Sequence, residues 1–157
     1  MIRLRPYERT DAGGLLALFR ETVRVVNSRD YTPEQIAAWS SDEIDSVAWA
    51  DRFDGRFADV AESEGRPVGF ADMTRGGYLD RLFVAASHQR QGVATLLIGR
   101  MIEHAREAGL PAIETDASIT AKPFFERLGF RVRRQQSVEC RGETLTNFRM
   151  KRIIDET

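Results

Sequence analysis

The sequence predicts a mixed α/β fold built around one sheet. Hydrophobic periodicity gives the element order strand, helices, three strands, helix, strand, helix and two strands. Residues 78–105 combine an apolar strand, a polar turn and an amphipathic helix, the unit around which the rest of the chain is arranged. The G-x-G-x-x-G and Walker A strings are both absent, so a doubly wound nucleotide-binding fold is not expected.

Composition narrows the class of protein. A chain of 157 residues, 42% of them hydrophobic, suits one compact domain spanning residues 1–157. The 23 Lys and Arg balance 24 Asp and Glu, so neither nucleic acid nor an anionic membrane is an expected partner. No run approaches the roughly 20 apolar residues that span a bilayer, and no apolar leader is seen, so we expect a cytoplasmic protein. One cysteine and two histidines argue against a disulfide framework and against a metal site.

The first third of the chain predicts one strand and three helices. Apolar Ile2 and Leu4 alternate with arginines, as in a half-exposed strand. Thr32 and Gln35 have the spacing of a capping box, with Pro33 at the first helical position between them. The predicted elements are a strand at residues 2–6 and helices at 11–26, 33–39 and 42–53.

The remaining elements follow from alternation and from turn residues. A helix begins near Val93 and ends before Gly109, because glycine and a following proline stop helices. The last residues, 153–157, are expected to be frayed. The other predicted elements are a hairpin at 57–63 and 67–73, a central strand at 78–84, a strand at 112–117, a helix at 118–128, and two strands after residue 130 joined by a turn at 141–143.

The turn between the central strand and the long helix predicts a phosphate site. Unpaired amide N–H groups and the positive end of the helix dipole converge at a helix N-terminus. Gly92 and the small Ala94 allow the backbone to approach a ligand closely. The alternative is an ordinary strand-to-helix turn with nothing bound.

This turn resembles the signature of the GNAT superfamily of acyl-CoA N-acyltransferases, which reads Gln or Arg, x, x, Gly, x, Gly or Ala. Gln89, Gly92 and Ala94 match it. The resemblance implies a mostly antiparallel central sheet with helices on both faces, and acetyl-CoA as co-substrate. It further implies that the turn holds the CoA pyrophosphate and that the preceding strand offers backbone groups to the pantetheine arm. The residues so implicated are Leu82, Phe83, Val84, Gln89, Arg90, Gln91, Gly92, Val93, Ala94 and Thr95.

Residues 118–130 resemble the closing motif of the same family. The matching residues are Ala121, Phe124, Glu126, Arg127, Gly129 and Phe130. The resemblance implies that Ser118, Lys122 and Phe125 also contact CoA. Ser118 stands where the family often has asparagine, and it can still donate and accept a hydrogen bond. Phe125 stands where the family often has a tyrosine general acid, so that role is not carried over.

The implied reaction sets the search for other catalytic groups. An alkyl ammonium with a pKa of about 10.4 must lose a proton before it attacks the thioester. The thiolate of a thiol with a pKa of about 8.5 is a tolerable leaving group. Tyr78 and Asp80 are two apart on the central strand and therefore share a face. Asp80 can take the proton through a water, Tyr78 can replace the missing hydroxyl, and a backbone N–H near Val84 can stabilise the oxyanion.

Alternatives remain open for these acidic residues. Asp80 can instead pair with Arg81, Arg75 or another surface arginine. Glu114 and Asp116, also two apart on a strand, are weaker candidates of the same kind.

The sequence gives only weak indications of which residues bind the acceptor. Tyr31 and Trp39 are candidates for the acceptor pocket, although aromatic residues on short helices usually pack in a core or lid. The acceptor is expected to be an amine of a small molecule or of a protein, acylated by direct transfer.

A homodimer through the last strands is implied by the resemblance alone. The alternative function is a non-catalytic acyl-CoA sensor.

The two histidines and the cysteine are expected to lie outside the catalytic centre. His88 is expected on the surface or at CoA, and His104 on the exposed side of the long helix. Cys140 is expected to pack rather than to act as a nucleophile.

Overall fold

The computed structural model describes residues 1–154, whose strands form one seven-stranded sheet. Short 3-10 helices precede α1, follow it, and follow β4. The strands are β1 (Ile2–Pro6), β2 (Phe57–Ser63), β3 (Arg66–Met73), β4 (Tyr78–Val84), β5 (Ala112–Ser118), β6 (Arg131–Cys140) and β7 (Glu143–Ile153). The α-helices are α1 (Ala12–Val25), α2 (Pro33–Trp39), α3 (Ser46–Asp51), α4 (Val93–Glu107) and α5 (Lys122–Arg127).

The sheet is mixed and mostly antiparallel, as expected. Its strand order is β1-β2-β3-β4-β5-β7-β6. Every neighbouring pair is antiparallel except β4 and β5, which run parallel. The parallel pair lies in the middle of the sheet, so both of its faces are covered by helices.

Two hydrophobic clusters cover the two faces of the sheet. On one face α4 buries Leu97, Met101 and Ala105, each of which is 0% exposed. On the other face α1 and α3 pack through residues that include Leu15 and Trp49. The 3.6-residue periodicity of α1 therefore predicted its buried face correctly, and that of α4 did so except at Leu96, which was expected on the buried face and is 45% exposed. None of the helices in the described part of the chain is long and apolar enough to cross a membrane.

The predicted cap of α2 is present and connects this helix to the far end of the sheet. The Thr32 side chain accepts a hydrogen bond from the Gln35 N–H at 3.1 Å, and Gln35 Oε1 accepts from the Thr32 N–H at 2.8 Å. Gln35 Nε2 also donates to the Thr144 carbonyl of β7 at 2.8 Å. These contacts hold the first turn of α2 against β7.

Two predicted helices are shorter than expected. The segment predicted at 42–53 is helical only over α3, because the Asp45 carboxylate caps it by accepting from the N–H groups of Val47 and Ala48. The helix predicted at 118–128 begins only at Lys122, and Ser118 is instead the last residue of β5. Pro123 explains the late start, since proline is tolerated only in the first turn of a helix.

The prediction that His104 lies on the exposed side of α4 was wrong. His104 Nε2 lies 2.7 Å from Asp59 Oδ2, and its ring stacks on Phe57 with centroids 4.7 Å apart. The Asp59 carboxylate on β2 therefore holds the His104 ring against the sheet.

The expected fraying of the tail was also wrong for its first two residues. Ile153 ends β7, and the buried Ile154 donates its N–H to Pro111 O at 2.9 Å. Residues 155–157 lie outside the described part of the chain.

A buried ion pair fixes the middle of β4 against β3. Arg81 Nε donates to Asp72 Oδ1 at 2.9 Å, and both side chains are almost fully buried. The Arg81 guanidinium lies 4.0 Å from the ring centroid of Phe53 and 4.5 Å from that of Trp49. The pair adjoins a bulge, since Asp72 is opposite Arg81 while Met73 is opposite Leu79, which leaves Asp80 as the extra residue.

Asp72→Asn is expected to destabilise the fold, because it leaves the buried Arg81 charge without its counter-ion. The free energy of unfolding should fall by about 3 kcal/mol, measured by urea denaturation. Asp42→Asn is the matched control, since Asp42 forms an exposed ion pair with Arg24. Its unfolding midpoint should be that of the unmodified chain. Equal midpoints for Asp72→Asn and Asp42→Asn would contradict the importance of the buried pair.

Candidate active site

The candidate site is a gap between the two parallel strands of the sheet. β4 and β5 pair only at Tyr78 with Glu114 and at Leu79 with Thr115. At this last pair Thr115 Oγ1 donates to the Leu79 carbonyl at 2.8 Å, and the strands then separate. A cavity of about 1050 Å³ occupies the gap and continues onto the α1 side of the sheet. We call the gap the β4–β5 cleft.

The register of β4 shows which of its backbone groups face the cleft. The Ala85 N–H donates to the Val68 carbonyl at 2.8 Å, and the register continues without interruption from Val84 to Arg81. Because hydrogen-bonded and non-hydrogen-bonded pairs alternate in an antiparallel ladder, the backbone groups of Leu82 and Val84 point away from β3 and into the cleft. Phe83 pairs with Phe70 in the ladder, so it contributes its side chain rather than its backbone to the cavity.

The predicted phosphate turn forms one end of the cavity. Gly92 is the N-cap of α4 with φ 81°, and no described side chain caps this helix. Arg90, two residues earlier, also has a positive φ of 60°. The first amides of a 15-residue helix are therefore available to an anion, together with its dipole. Gln89 holds the turn in place, since its Nε2 donates to the Val84 carbonyl at 2.6 Å.

Most residues singled out in the sequence line this one cavity. Among the residues proposed for catalysis, CoA binding and the acceptor pocket, Gln91 and Lys122 are the exceptions: Gln91 Nε2 donates to the Ser87 carbonyl at 3.4 Å, and Lys122 Nζ lies 3.5 Å from Glu126 Oε1. The others line the cavity: Tyr31, Trp39, Tyr78, Asp80, Leu82, Phe83, Val84, Gln89, Arg90, Gly92, Val93, Ala94, Thr95, Ser118 and Phe125. Asp116 lines it too, whereas Glu114 does not.

Ser118 and Phe125 line the cavity while also stabilising the start of α5. Ser118 Oγ accepts from the Ala121 N–H at 3.0 Å. Phe125 is buried and packs edge-on against Phe124 and Phe130.

Tyr78 is oriented by a polar network that joins β4, β5, β6 and β7. Its hydroxyl donates to Asp116 Oδ2 at 2.8 Å. Asp116 Oδ1 accepts from Arg149 Nε at 2.6 Å and from Gln136 Nε2 at 2.9 Å. Burial, followed by the hydrogen bond to Asp116, raises the pKa of Tyr78. Burial opposes ionisation of Asp116, but the three donors outweigh it and lower its pKa.

Arg149 and Gln136 were not predicted from the sequence. Arg149 is opposite Asp116 in the β5–β7 register, and Gln136 is opposite Asn147 in the β6–β7 register. Only the register reveals these contacts, and no sequence motif marks them.

Asp80 is ion-paired, as the alternative interpretation anticipated, although with different arginines from the two named. Its Oδ2 accepts from Arg56 Nη1 at 2.6 Å and from Arg52 Nη2 at 2.7 Å. Burial raises the pKa of Asp80, but these two hydrogen bonds outweigh burial and lower it. Asp80 is therefore a weak base that stays ionised at neutral pH. Among the described residues, no donor reaches its second oxygen, Oδ1.

Tyr31 and Trp39 both pack in the fold and line the cavity. The Tyr31 hydroxyl donates to the Thr146 carbonyl at 2.6 Å and accepts from the Ile119 N–H at 2.9 Å. It thereby connects the segment before α2 to β7 and to the end of β5. The Trp39 ring lies edge-on to Tyr31, with centroids 5.5 Å apart. The structural and functional interpretations of these two residues are compatible.

The remaining candidates are peripheral. His88 lines the cavity, with its Nδ1 2.7 Å from Ser87 Oγ. Cys140 Sγ lies 3.6 Å from the Ala38 carbonyl, and neither histidine contacts it among the described residues. Within residues 1–154 no three His, Cys, Asp or Glu side chains are grouped as a metal site requires.

Comparison with known proteins gives consistent matches. The family model for the acetyltransferase (GNAT) domain matches residues 27–152. The uncharacterized N-acetyltransferase YafP of Escherichia coli (strain K12) is 41% identical over 150 residues, which cover 96% of this chain and 95% of YafP.

Solved structures share the fold over nearly the whole chain. A GCN5-related N-acetyltransferase from Rhodopseudomonas palustris superposes with a TM-score of 0.93 at 32% identity, covering 96% of this chain and 94% of that one. The PaiA N-acetyltransferase from Thermoplasma acidophilum, in complex with coenzyme A, superposes with a TM-score of 0.76 at 14% identity, covering 98% and 99%.

Tyrosine ionisation tests the environment of Tyr78. Burial is the first cause of the raised pKa of all three tyrosines, Tyr7, Tyr31 and Tyr78. Because these folded-state pKa values exceed the unfolded value of about 10, the stability they contribute is present below about pH 10 and is lost as pH rises through the folded values.

An absorbance titration of the folded protein should therefore show no tyrosinate step near pH 10, although an unperturbed phenol ionises at about that pH. Asp116→Asn should lower the pKa of Tyr78 by removing the neighbouring charge, and Tyr78→Phe identifies the step that belongs to this residue. A step near pH 10 that Tyr78→Phe abolishes would contradict the geometry.

Proposed function

This chain belongs to the acetyltransferase (GNAT) family and is an acyltransferase, and we propose that it transfers an acetyl group from acetyl-CoA to a primary amine by direct attack. The observation that carries this proposal is the β4–β5 cleft, which opens beside the uncapped N-terminus of α4. An elongated thioester with a phosphate at one end fits this arrangement. The coenzyme A complex of the PaiA protein, which has the same fold, supports the choice of donor.

The α4 turn is proposed to hold the pyrophosphate. A Cβ placed at Gly92 would meet no heavy atom within 4 Å, so the backbone there is open to a ligand. The amides from Gly92 to Thr95 supply donors, and the nearby Arg90 side chain lines the same cavity. Gln91 is expected to contribute its backbone only, because its side chain donates to Ser87.

The β4 backbone is proposed to hold the pantetheine arm and the developing oxyanion. Leu82 and Val84 direct their backbone groups into the cleft, and the Val84 carbonyl already accepts from Gln89. The sequence suggested a backbone N–H near Val84 for the oxyanion, but the Leu82 N–H lies closer to the point where β4 and β5 separate, so we assign Leu82 to the thioester carbonyl oxygen. A fixed amide donor costs no reorganisation as charge develops on that oxygen.

Asp80 and Tyr78 are the proposed polar groups at the reacting end. The free Oδ1 of Asp80 is suited to bind the acceptor ammonium and to pass its proton to solvent through a water. The amine then attacks the thioester carbon, the C–S bond breaks, and the CoA thiolate takes up a proton. Since Phe125 has no hydroxyl and the Tyr78 hydroxyl already donates to Asp116, we propose that the second proton of the amine nitrogen reaches the thiolate through solvent that Tyr78 orients.

Family membership favours an enzyme over a non-catalytic acyl-CoA sensor. The sensor interpretation arose from Phe125, and it predicts binding of acetyl-CoA with no amine-dependent release of thiol. Tyr78 offers a hydroxyl on the same cavity as Phe125, so the missing family tyrosine does not leave the site without one.

Gly92→Asp is expected to weaken CoA binding through charge. An aspartate at the N-terminus of α4 places a carboxylate where the phosphate binds. Gly92→Asn is the matched control, because asparagine has the same shape and tolerates the positive φ without adding a charge. Calorimetry should give a Kd for CoA about tenfold or more higher for the aspartate variant than for the asparagine variant. Equal values would remove the pyrophosphate from this turn.

Tyr78→Phe is expected to lower kcat and to leave the affinity for CoA unchanged, because the hydroxyl takes part in the reaction and not in CoA binding. We expect kcat to fall by about a hundredfold, with Kd for CoA within about twofold. Tyr7→Phe is the matched control, since the Tyr7 hydroxyl is buried and has no hydrogen-bond partner within residues 1–154. Unchanged kcat in Tyr78→Phe would exclude the hydroxyl from proton transfer.

Asp80→Asn is expected to raise KM for the amine and lower kcat, because the neutral amide cannot hold an ammonium. Asp51→Asn is its control, as Asp51 forms an exposed pair with Arg9. Steady-state kinetics with varied amine distinguishes the two variants. Identical kinetics for both would exclude Asp80 from the acceptor site.

A further inference from the structure

The α1 side of the cavity carries an aromatic wall formed by Tyr31, Trp39 and Phe83. The three rings come from the segment before α2, from the end of α2 and from β4. The centroids of Trp39 and Tyr31 are 5.5 Å apart, and those of Trp39 and Phe83 are 6.3 Å apart. All three rings line the cavity, and those of Trp39 and Phe83 are only partly buried by the protein. Their remaining apolar surface faces the space in which an acceptor must lie.

The wall is apolar in character despite its tyrosine. Both hydrogen-bonding directions of the Tyr31 hydroxyl are used by the protein, through Thr146 and Ile119. The polar end of this side chain is therefore satisfied, and the ring is what it presents to the cavity. Ile44 and Leu145 line the same cavity and add apolar surface. Such a surface gains free energy when a flat apolar group covers it.

The wall begins next to the proposed reaction centre. Phe83 follows Leu82, whose amide we assign to the thioester carbonyl. An acceptor whose amine reaches that carbonyl from the α1 side therefore has its body beside Phe83 and Trp39.

The charged lining of the cavity limits the acceptor to one positive charge. Asp80 and Asp116 are the only carboxylates among the described lining residues. Asp116 is occupied on both oxygens by Tyr78, Arg149 and Gln136. Asp80 keeps one oxygen, Oδ1, with no donor among the described residues, and because Arg52 and Arg56 already share its charge it can hold one ammonium group at most. A second ammonium would find no free carboxylate and would meet arginines in the lining.

We propose that the acceptor is a primary amine with a single positive charge and an aromatic or bulky apolar body that lies against the aromatic wall. This inference rests on the proposed acetyl transfer and specifies the acceptor for the same site. It excludes polyamines and small hydrophilic amines as preferred acceptors, and it gives Trp39 and Phe83 the role of selecting the substrate.

The test is acetyl-CoA thiol release with three amines. Phenethylamine carries one amine and an aromatic ring, ethanolamine carries one amine and no apolar body, and spermidine carries several charges. We expect kcat/KM for phenethylamine to exceed that for each of the other two by about tenfold or more, since an aromatic ring buried on the wall strengthens binding of that acceptor alone. Comparable or higher values for ethanolamine or spermidine would overturn the inference and leave the acetyltransferase activity intact. Absence of release with every amine would overturn the proposed function as well.

Variants of the wall provide the second measurement. Trp39→Ala should raise KM for phenethylamine by about fivefold or more and change KM for ethanolamine by less than about twofold, because only the first acceptor uses the ring. Trp39→Leu retains apolar volume and serves if the alanine variant fails to fold, with an intermediate effect expected. Val47→Ala, at an exposed position of α3, is the control and should change neither value. Equal effects of the Trp39 variants on both amines would overturn the assignment of the wall to substrate selection.

Discussion

The separation of β4 from β5 is the constraint on which the rest of the site depends. Two parallel strands at the centre of a sheet would ordinarily satisfy each other's backbone groups along their whole length. Here they pair at only two positions, after which the Leu82 and Val84 groups have no strand partner on that side. The Val84 carbonyl accepts from Gln89 and Thr22 instead. We propose that an extended ligand pairs with the other backbone groups that face the cleft.

Side chains rather than backbone hold the cleft open. Thr115 fixes the closed end by donating to the Leu79 carbonyl, and Gln89 fixes the open end by donating to the Val84 carbonyl. Tyr31 connects the β5 end to β7 through its hydroxyl. The separation of the strands is therefore built into the fold, so binding need not open it.

Two ionic networks lie on opposite sides of the point where β4 and β5 separate. On the β3 side, Arg56 joins the buried Asp72 to Asp80. On the β7 side, Arg149 joins Asp116 to Glu114, and Asp116 in turn orients Tyr78. Each network contains one carboxylate whose pKa is lowered by its hydrogen-bond donors despite burial, Asp80 in the first and Asp116 in the second. In the proposed site, this arrangement leaves Asp80 Oδ1 for one amine and makes both carboxylates weak bases.

Sequence patterns of a few residues predicted most of the fold, whereas contacts between residues far apart in the chain could not be predicted. The capping box at Thr32, the glycine at residue 92 and the periodicity of α4 are encoded within a few residues, so the sequence sufficed. The arginine partners of Asp80 and Asp116 lie 24 to 33 residues away, and their contacts depend on a bulge and on cross-strand pairing. His104 was misplaced because its partner, Asp59 on β2, is 45 residues away in the chain and meets it only when α4 packs on the sheet.

The most direct test of this account is the release of CoA thiol from acetyl-CoA, measured once with an amine and once without it. The amount of acetylated amine is measured in the same reactions. Direct transfer in one cavity predicts that release requires the amine and equals the amount of product formed. Release without an amine, with the acetyl group retained on Cys140, would contradict direct attack. Binding of acetyl-CoA without release on any amine would contradict catalysis at this site.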